Sequence, residues 1–224
     1  MGKLYTVLAA LIRGFSQPMT TVWDVPFDGA PAVFCPNHAG AFGPMEICAK
    51  FSLRKKLHPW MNDGMMHAGT TPAYVRQDYW WKPGCFWEPL LTRTLPYIAA
   101  ALIPPILRSV PGVPVYHDNR VVQTFRKSLA YLQAGEHLVI FPEQPDGFQS
   151  HGPKLNDGFL HIAPLVYRKL GIALKFYPVF IDRKNRVMRV GPPAPYDPAV
   201  PITGQSEKIM NIIRAGIQSP PSYT

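Results

Sequence analysis

An apolar run that halts at a proline and then presents an ionisable side chain occurs twice in this chain, and it constrains the fold more than any other feature. Ala32-Val33-Phe34 runs to Pro36, and Asn37-His38 follows on small residues before helix-compatible sequence resumes with Pro44 in a first-turn position. Later, Leu138-Val139-Ile140 runs into Phe141-Pro142-Glu143. Short apolar runs bounded in this way read as buried strands, and both look like C-terminal strand ends. In α/β proteins those ends carry the reactive side chains, so His38 and Glu143 are expected to share one crevice.

The rest of the chain alternates strand and helix signals. Residues 22–26 read as a short strand. Residues 44–57 read as a helix, with Ile47 and Phe51 at helical spacing and a basic end (Lys50, Arg54, Lys55, Lys56) suited to the negative pole of the dipole. Residues 113–116 form a strand. Residues 121–134 form a helix with Val122, Phe125, Leu129 and Leu132 on one face and Gly135 as its stop. Then follow a strand at 137–141, a helix at 158–170 stopped by Gly171, a strand at 173–181 with 183–190 as its hairpin partner, and a last helix at 206–217. Residues 57–69 carry no comparable pattern. Their His58, Asp63 and His67 lack metal-ligand spacing, so loop or surface roles are expected and no metal site is read. This alternation predicts an α/β fold, a mainly parallel central sheet flanked by helices, in one domain over residues 1–224.

Composition narrows the partners. The chain has 23 Lys+Arg against 14 Asp+Glu, a net charge of +9. Such a balance suits nucleic acid, an anionic membrane face or acidic substrates. No basic run and no nucleic-acid module is legible, and the basic residues interleave with aromatics and leucines, which points to a membrane face and away from nucleic acid. The 26 prolines are spread along the chain, so they punctuate many short elements and do not form a disordered tract. Cys35, Cys48 and Cys85 have neither an even count nor metal spacing and read as reduced thiols in a cytoplasmic protein.

Two apolar segments bear on location. Residues 1–18 hold a short apolar core between Lys3 and Arg13, below the ~20 residues a spanning helix needs. With no convincing cleavage site, the segment reads as an interfacial helix or as a helix packed on the domain. Residues 89–107 are the most apolar stretch, but Arg93, Pro96, Pro104 and Pro105 argue against a simple spanning helix. Two readings stand: a monotopic patch with Tyr79, Trp80, Trp81 and Trp87 at head-group level, or a buried helical hairpin covering the sheet.

Four blocks, in order, resemble the glycerolipid acyltransferase superfamily, which contains the 1-acylglycerol-3-phosphate acyltransferases. They are Asn37-His38, the stretch Gly112-Val113-Pro114-Val115-Tyr116-His117-Asp118-Asn119-Arg120, then Phe141-Pro142-Glu143, and Tyr177-Pro178-Val179-Phe180-Ile181. The resemblance covers residues 31–181. It implies a glycerol-phosphate-acyltransferase-like fold and transfer of a fatty acyl group from an acyl-CoA or acyl-carrier thioester to a lysophosphatidate-like hydroxyl. It implies no cofactor beyond that co-substrate, and a place at the cytoplasmic face of the cell membrane, peripheral or monotopic. It makes His38 the general base, puts Glu143 in acceptor binding, gives Arg120 or His117 the acceptor phosphate and includes Asn37 among the substrate contacts; beside it, Lys154 is a candidate for a further contact to the acceptor. Three positions depart from the family pattern: Gly43 stands where the family has aspartate, Gln144 where it has glycine, and His117 where it has arginine.

The chemistry is consistent with that set. Acyl transfer from a thioester to an alcohol needs the hydroxyl proton removed as the C–O bond forms, and an imidazole does this for about 10²–10⁴-fold. An activated thioester requires no covalent nucleophile, and no Gly-x-Ser-x-Gly elbow is present. A carboxylate normally orients such an imidazole. Gly43 cannot, and Glu46, three residues on along the same helical face, is expected to take over; its other reading is a first-turn charge favoured by the dipole. Arg120 suits bidentate phosphate contact better than His117 does. For Glu143 the alternative is a solvated loop acid. Two further functions stay open: a catalytically weak or inactive protein that binds a lipid or acyl thioester on the same scaffold, and hydrolysis of the thioester by the same histidine.

Overall fold

The computed structural model describes residues 2–39, 43–77, 84–143 and 155–218. The described strands are β1 (Thr20–Trp23), β2 (Ala32–Pro36), β3 (Leu57–Asn62), β4 (Val113–Val115), β5 (His137–Val139), β6 (Lys175–Asp182), β7 (Val187–Val190) and β8 (Ala194–Pro195). They form one sheet in the order β1-β7-β6-β2-β5-β3-β4, with β8 on β6. The run β6-β2-β5-β3-β4 is parallel throughout, while β7 and β8 lie antiparallel to β6. The fold is α/β with a mainly parallel sheet, as the alternation predicts.

β2 sits at the centre and is buried along its whole length, the burial expected of a parallel strand covered on both faces. Its alternate residues serve two cores. Ala32 and Phe34 pack with Ile47 and Phe51 of the α2 region (α2, Gly43–Lys50), and Val33 and Cys35 face the opposite core. That second core is closed by Leu132 of α5 (Val121–Gln133), by Ile162 and Val166 of α6 (Ile162–Leu170) and by Ile209 and Ile213 of α7 (Ile202–Gln218). Each such side chain, taken fully out of water, contributes about 1.5–3 kcal/mol.

The topology places a crevice. From β2 the chain leaves through α2 toward β3, on one side of β2. From β5, the neighbour of β2, it leaves through α6 toward β6, on the other side and across the opposite face. Connections that diverge from adjacent parallel strands open a cleft at their carboxyl ends. His38 follows β2 and Glu143 follows β5, so both stand at this switch point.

Several expected elements are corrected. The helix expected over 44–57 ends at Lys50, and residues 57–62, read as irregular, are β3. His58 and Pro59 hide that strand: the buried imidazole of His58 is satisfied by Glu136 Oε2 at 2.7 Å and stacks on Tyr131 at 3.5 Å. Residues 89–107 are not a hairpin but lie in one helix, α4 (Glu88–Ser109), whose Ala99 packs on Val75 of α3 (Thr71–Gln77). Pro96 and Pro104 are buried on its packed side, so their rings fill space that offsets the lost backbone bonds. In α5, Val122 points to solvent while Thr124 and Ser128 are buried, because these two hydroxyls bond Pro114 O and the Trp60 indole.

α1 (Lys3–Phe15) packs Tyr5 and Ala9 on Ala49, with the Tyr5 hydroxyl donating to Cys48 O at 3.0 Å. It also meets α4, where the Gly2 N–H donates to Ser109 O. Both helices keep an apolar outer side: Leu4, Val7, Leu11 and Phe15 of α1, and Leu90, Ile98 and Leu102 of α4, are exposed. Among the described residues α4 is the one helix long and apolar enough to cross a membrane, and most of it is unburied.

Candidate functional site

The site begins where β2 runs out. Past Pro36 the Asn37 N–H donates to Val179 O at 3.2 Å, and the Asn37 side-chain oxygen accepts from the Ile181 N–H at 2.7 Å. Asn37 thus extends the pairing of β2 with β6, and in this structure its amide holds a strand end. Removing that acceptor would strand a buried N–H at a cost of about 1–3 kcal/mol.

His38 follows with an exposed side chain whose ring lies 5.1 Å from that of Phe141. Its backbone N–H donates to Glu143 Oε2 at 2.7 Å, a charge-assisted bond that joins residues from the two strand ends. Glu143 is fixed in turn by its bridge to Leu155 and by the Asn156 N–H donating to Pro142 O at 2.8 Å. The next residue, Ala39, adopts φ +45°, a left-handed conformation that an alanine holds only when its surroundings dictate it. Those surroundings include Gly43: a Cβ there would collide with the His38 carbonyl. Position 43 requires glycine because main chain occupies the space a side chain would need.

Glu46, expected to orient the imidazole, is buried on α2 and meets two cations. Its Oε1 lies 3.6 Å from Lys50 Nζ and its Oε2 3.1 Å from Arg183 Nε. Those contacts suit the first-turn charge of the alternative reading. Cys35, three residues before His38, is fully buried and its thiol is pushed up by that burial, so it is not a nucleophile. Burial likewise pushes the Cys48 thiol up to about 12.

Arg120 and His117 lie elsewhere on the same sheet edge, in a cleft of about 420 Å³ beyond the ends of β3 and β4. Arg120 Nε is 3.0 Å from each Asp118 oxygen, its Nη2 is 3.5 Å from Asp63 Oδ2, and its guanidinium lies 4.3 Å from the Tyr116 ring centre. The side-chain bond to Arg120 holds the Asp118 carboxyl below its usual range, and Asp118 in turn raises Arg120, so both stay charged. The turn that carries them is pinned below by Thr124, whose hydroxyl donates to Pro114 O at 2.8 Å.

The structure therefore brings together Asn37, His38 and Glu143, gathers Arg120 and His117 past β4, two strands from β5 and three from β2, and gives Glu46 to an ion-pair cluster. Lys154 and Gln144 lie outside the described residues, as do Tyr79, Trp80 and Trp81. Asp63, Tyr116 and Asp118 line the Arg120 cleft without standing among the expected site residues. For Asp63 the missing signal was β3: once that strand is seen, its next residue sits at the functional edge. No protein-family model, curated protein or solved structure matches this chain.

Proposed function

We propose that the chain is an O-acyltransferase at a membrane surface, moving a fatty acyl group from an acyl-CoA or acyl-carrier thioester to a lysophospholipid hydroxyl. His38 is the general base. Its imidazole takes the hydroxyl proton while the oxygen attacks the thioester carbonyl. The C–S bond then breaks, the proton passes to the departing thiolate, and one ester replaces one thioester with no redox partner. The observation that carries this reading is the 2.7 Å bond from the His38 N–H to Glu143, which couples the two strand-end blocks at the switch point. The contacts of Glu46 with Lys50 and Arg183 do not support an orienting role for that carboxylate.

The apolar outer sides of α1 and α4, with a net charge of +9, support peripheral or monotopic attachment to an anionic membrane face, in keeping with a cytoplasmic location. A second reading, a lipid- or acyl-thioester-binding protein with little activity, is favoured by one observation: Gly43 supplies no carboxylate and leaves no room for one. The deciding assay presents acyl-CoA and acyl-carrier donors with lyso-acceptors in anionic vesicles. Transfer that falls about 100-fold or more in His38→Ala, at unchanged melting temperature, supports the enzyme. Donor binding without transfer to any acceptor gives the binding protein first place.

A further inference from the structure

The resemblance gives the acceptor phosphate to Arg120 or His117, but the strand order puts both out of its reach. They follow β4, three strands from β2, which is about 14 Å at roughly 4.8 Å a strand. In a lysophosphatidate the phosphorus is four bonds from the glycerol 2-hydroxyl oxygen, about 5 Å at the three-bonds-per-3.5 Å reach of an extended chain. With that hydroxyl at His38, the phosphate lies about one strand spacing away. Arg120 is also committed: its Nε and Nη2 face the Asp118 oxygens at 2.8–3.0 Å.

One spacing from β2, on the side away from β5, is β6. The two strand ends are tied where Asn37 Oδ1 accepts from the Ile181 N–H at 2.7 Å, and Arg183 stands two residues further on. Its side chain turns toward α2, with Nε 3.1 Å from Glu46 Oε2. Glu46 belongs to the first turn of α2, whose opening residue, Gly43, lies against the His38 carbonyl. Arg183 therefore stands on the β6 side of His38, as Phe141 stands on the β5 side.

The charges in this group do not cancel. One carboxylate, Glu46, is shared by two cations, Arg183 and Lys50, whose Nζ is 3.6 Å from Oε1. The Glu46 and Lys50 side chains are 12% and 6% exposed, whereas that of Arg183 is 50% exposed. Glu46 Oε2 accepts no aligned hydrogen bond among the described residues, so it meets Arg183 Nε by charge, without the two-nitrogen grip of Asp118 on Arg120. The adjacent carboxylate, Asp182, is turned into its own hairpin, where Asn185 donates to it through main chain and side chain. A surplus positive charge, partly withdrawn from water, is thus left at the end of β6, and an anion in the crevice would balance it. A CoA donor does not place one there, since its nearest phosphorus is about thirteen bonds from the sulfur, roughly 15 Å.

Resting on the acyltransferase reading, we infer that Arg183 receives the phosphate monoester of the acceptor, and that the Arg120 block does not.

Two experiments separate this inference from the reading beneath it. In the first, glycerol 3-phosphate, inorganic phosphate and glycerol are titrated calorimetrically into the full-length protein, which needs no catalysis. Glycerol 3-phosphate binds more tightly than either of the others. Arg183→Gln weakens it at least about tenfold, Arg183→Lys less, and Arg120→Gln no more than about twofold, at unchanged melting temperature. Should Arg183→Gln fold poorly, Glu46→Gln combined with Arg183→Gln removes the ion pair as a whole and shows the same loss. In the second, Arg183→Gln raises the KM for lysophosphatidate at least about tenfold, and raises it less for a monoacylglycerol, which has no phosphate. No binding of glycerol 3-phosphate, inorganic phosphate binding as tightly, or a loss in Arg120→Gln as large as that in Arg183→Gln overturns the inference. The expected binding pattern with no transfer to any acceptor keeps the Arg183 assignment and removes the acyltransferase.

Discussion

Replacing Gly43 tests whether the geometry around His38 is as constrained as it looks. A Cβ at position 43 would fall inside the His38 carbonyl, 2.9 Å from its carbon and 3.3 Å from the Ala39 methyl. Carbon atoms pack comfortably at about 3.5–4.0 Å, so the two main-chain segments must part by roughly 1 Å. Neither can give easily: the His38 N–H is tied to Glu143, Asn37 is tied to β6, and Gly43 opens α2. Forced overpacking of this kind costs about 1–3 kcal/mol. A displacement of about 1 Å at a reacting group costs on the order of 100-fold in rate. Gly43→Ala is therefore expected to unfold at lower urea with an unchanged m-value and, on the acyltransferase proposal, to lose about 100-fold in initial transfer rate. Gly43→Asp, which places a carboxylate at this position, is expected to fare no better, since the collision is at Cβ. Wild-type stability in Gly43→Ala, or a Gly43→Asp variant faster than wild type, would refute the steric argument.

Two other expectations concern acid stability and the membrane. His137 is 2% exposed, and burial, helped by the charge of Lys56, pushes its pKa down to about 4 from an ordinary 6.5. The folded state keeps it neutral, so its contribution is intact above pH ~6.5 and is lost as the pH falls toward 4, to a total of about 3 kcal/mol. Between about pH 7.5 and pH 5, urea unfolding of His137→Leu should therefore lose about 2 kcal/mol less than wild type; equal losses would show that His137 is not the sensor. On α4, Ile98→Asp combined with Leu102→Asp removes two exposed apolar side chains, each able to bury about 1.5–3 kcal/mol in lipid. On the proposed membrane attachment, co-sedimentation with anionic vesicles should fall tenfold or more, and unchanged or absent binding would count against α4 as a membrane contact.

The architecture was legible wherever apolar runs were long and cleanly ended. β2 and β6 show as buried strands because tight burial on both faces demands continuous apolar sequence, and Gly171 marks the end of α6 because its φ of +69° needs glycine. β3 was not legible, since His58, Pro59 and Asn62 break its pattern and the satisfaction of His58 comes from Glu136, far along the chain. α4 misled for the opposite reason: prolines predict a break, and here two of the three are absorbed into packing. Within the site, sequence order gave His38 and Glu143 as neighbours, but it could not give the direction of Glu46. That depends on Arg183, which follows β6 and reaches α2 only through the fold. Asp118 and Arg120 were in view as a motif, yet their mutual pairing is a matter of side-chain direction.

The strand order also has a consequence in time. β2 is made early, but both of its neighbours, β5 and β6, are made late, and β1 waits for β7. A nascent chain that has reached the end of α5 can pair only β3 with β4; the slot between β2 and β3 stays empty until residues 137–139 emerge. Until then the apolar faces of β2 have no strand beside them, a state prone to wrong partners. The first half of this protein is therefore a passenger of the second. Any product that stops before β6 should go to chaperones or proteases and leave no functional fragment, however much of the site's sequence it contains.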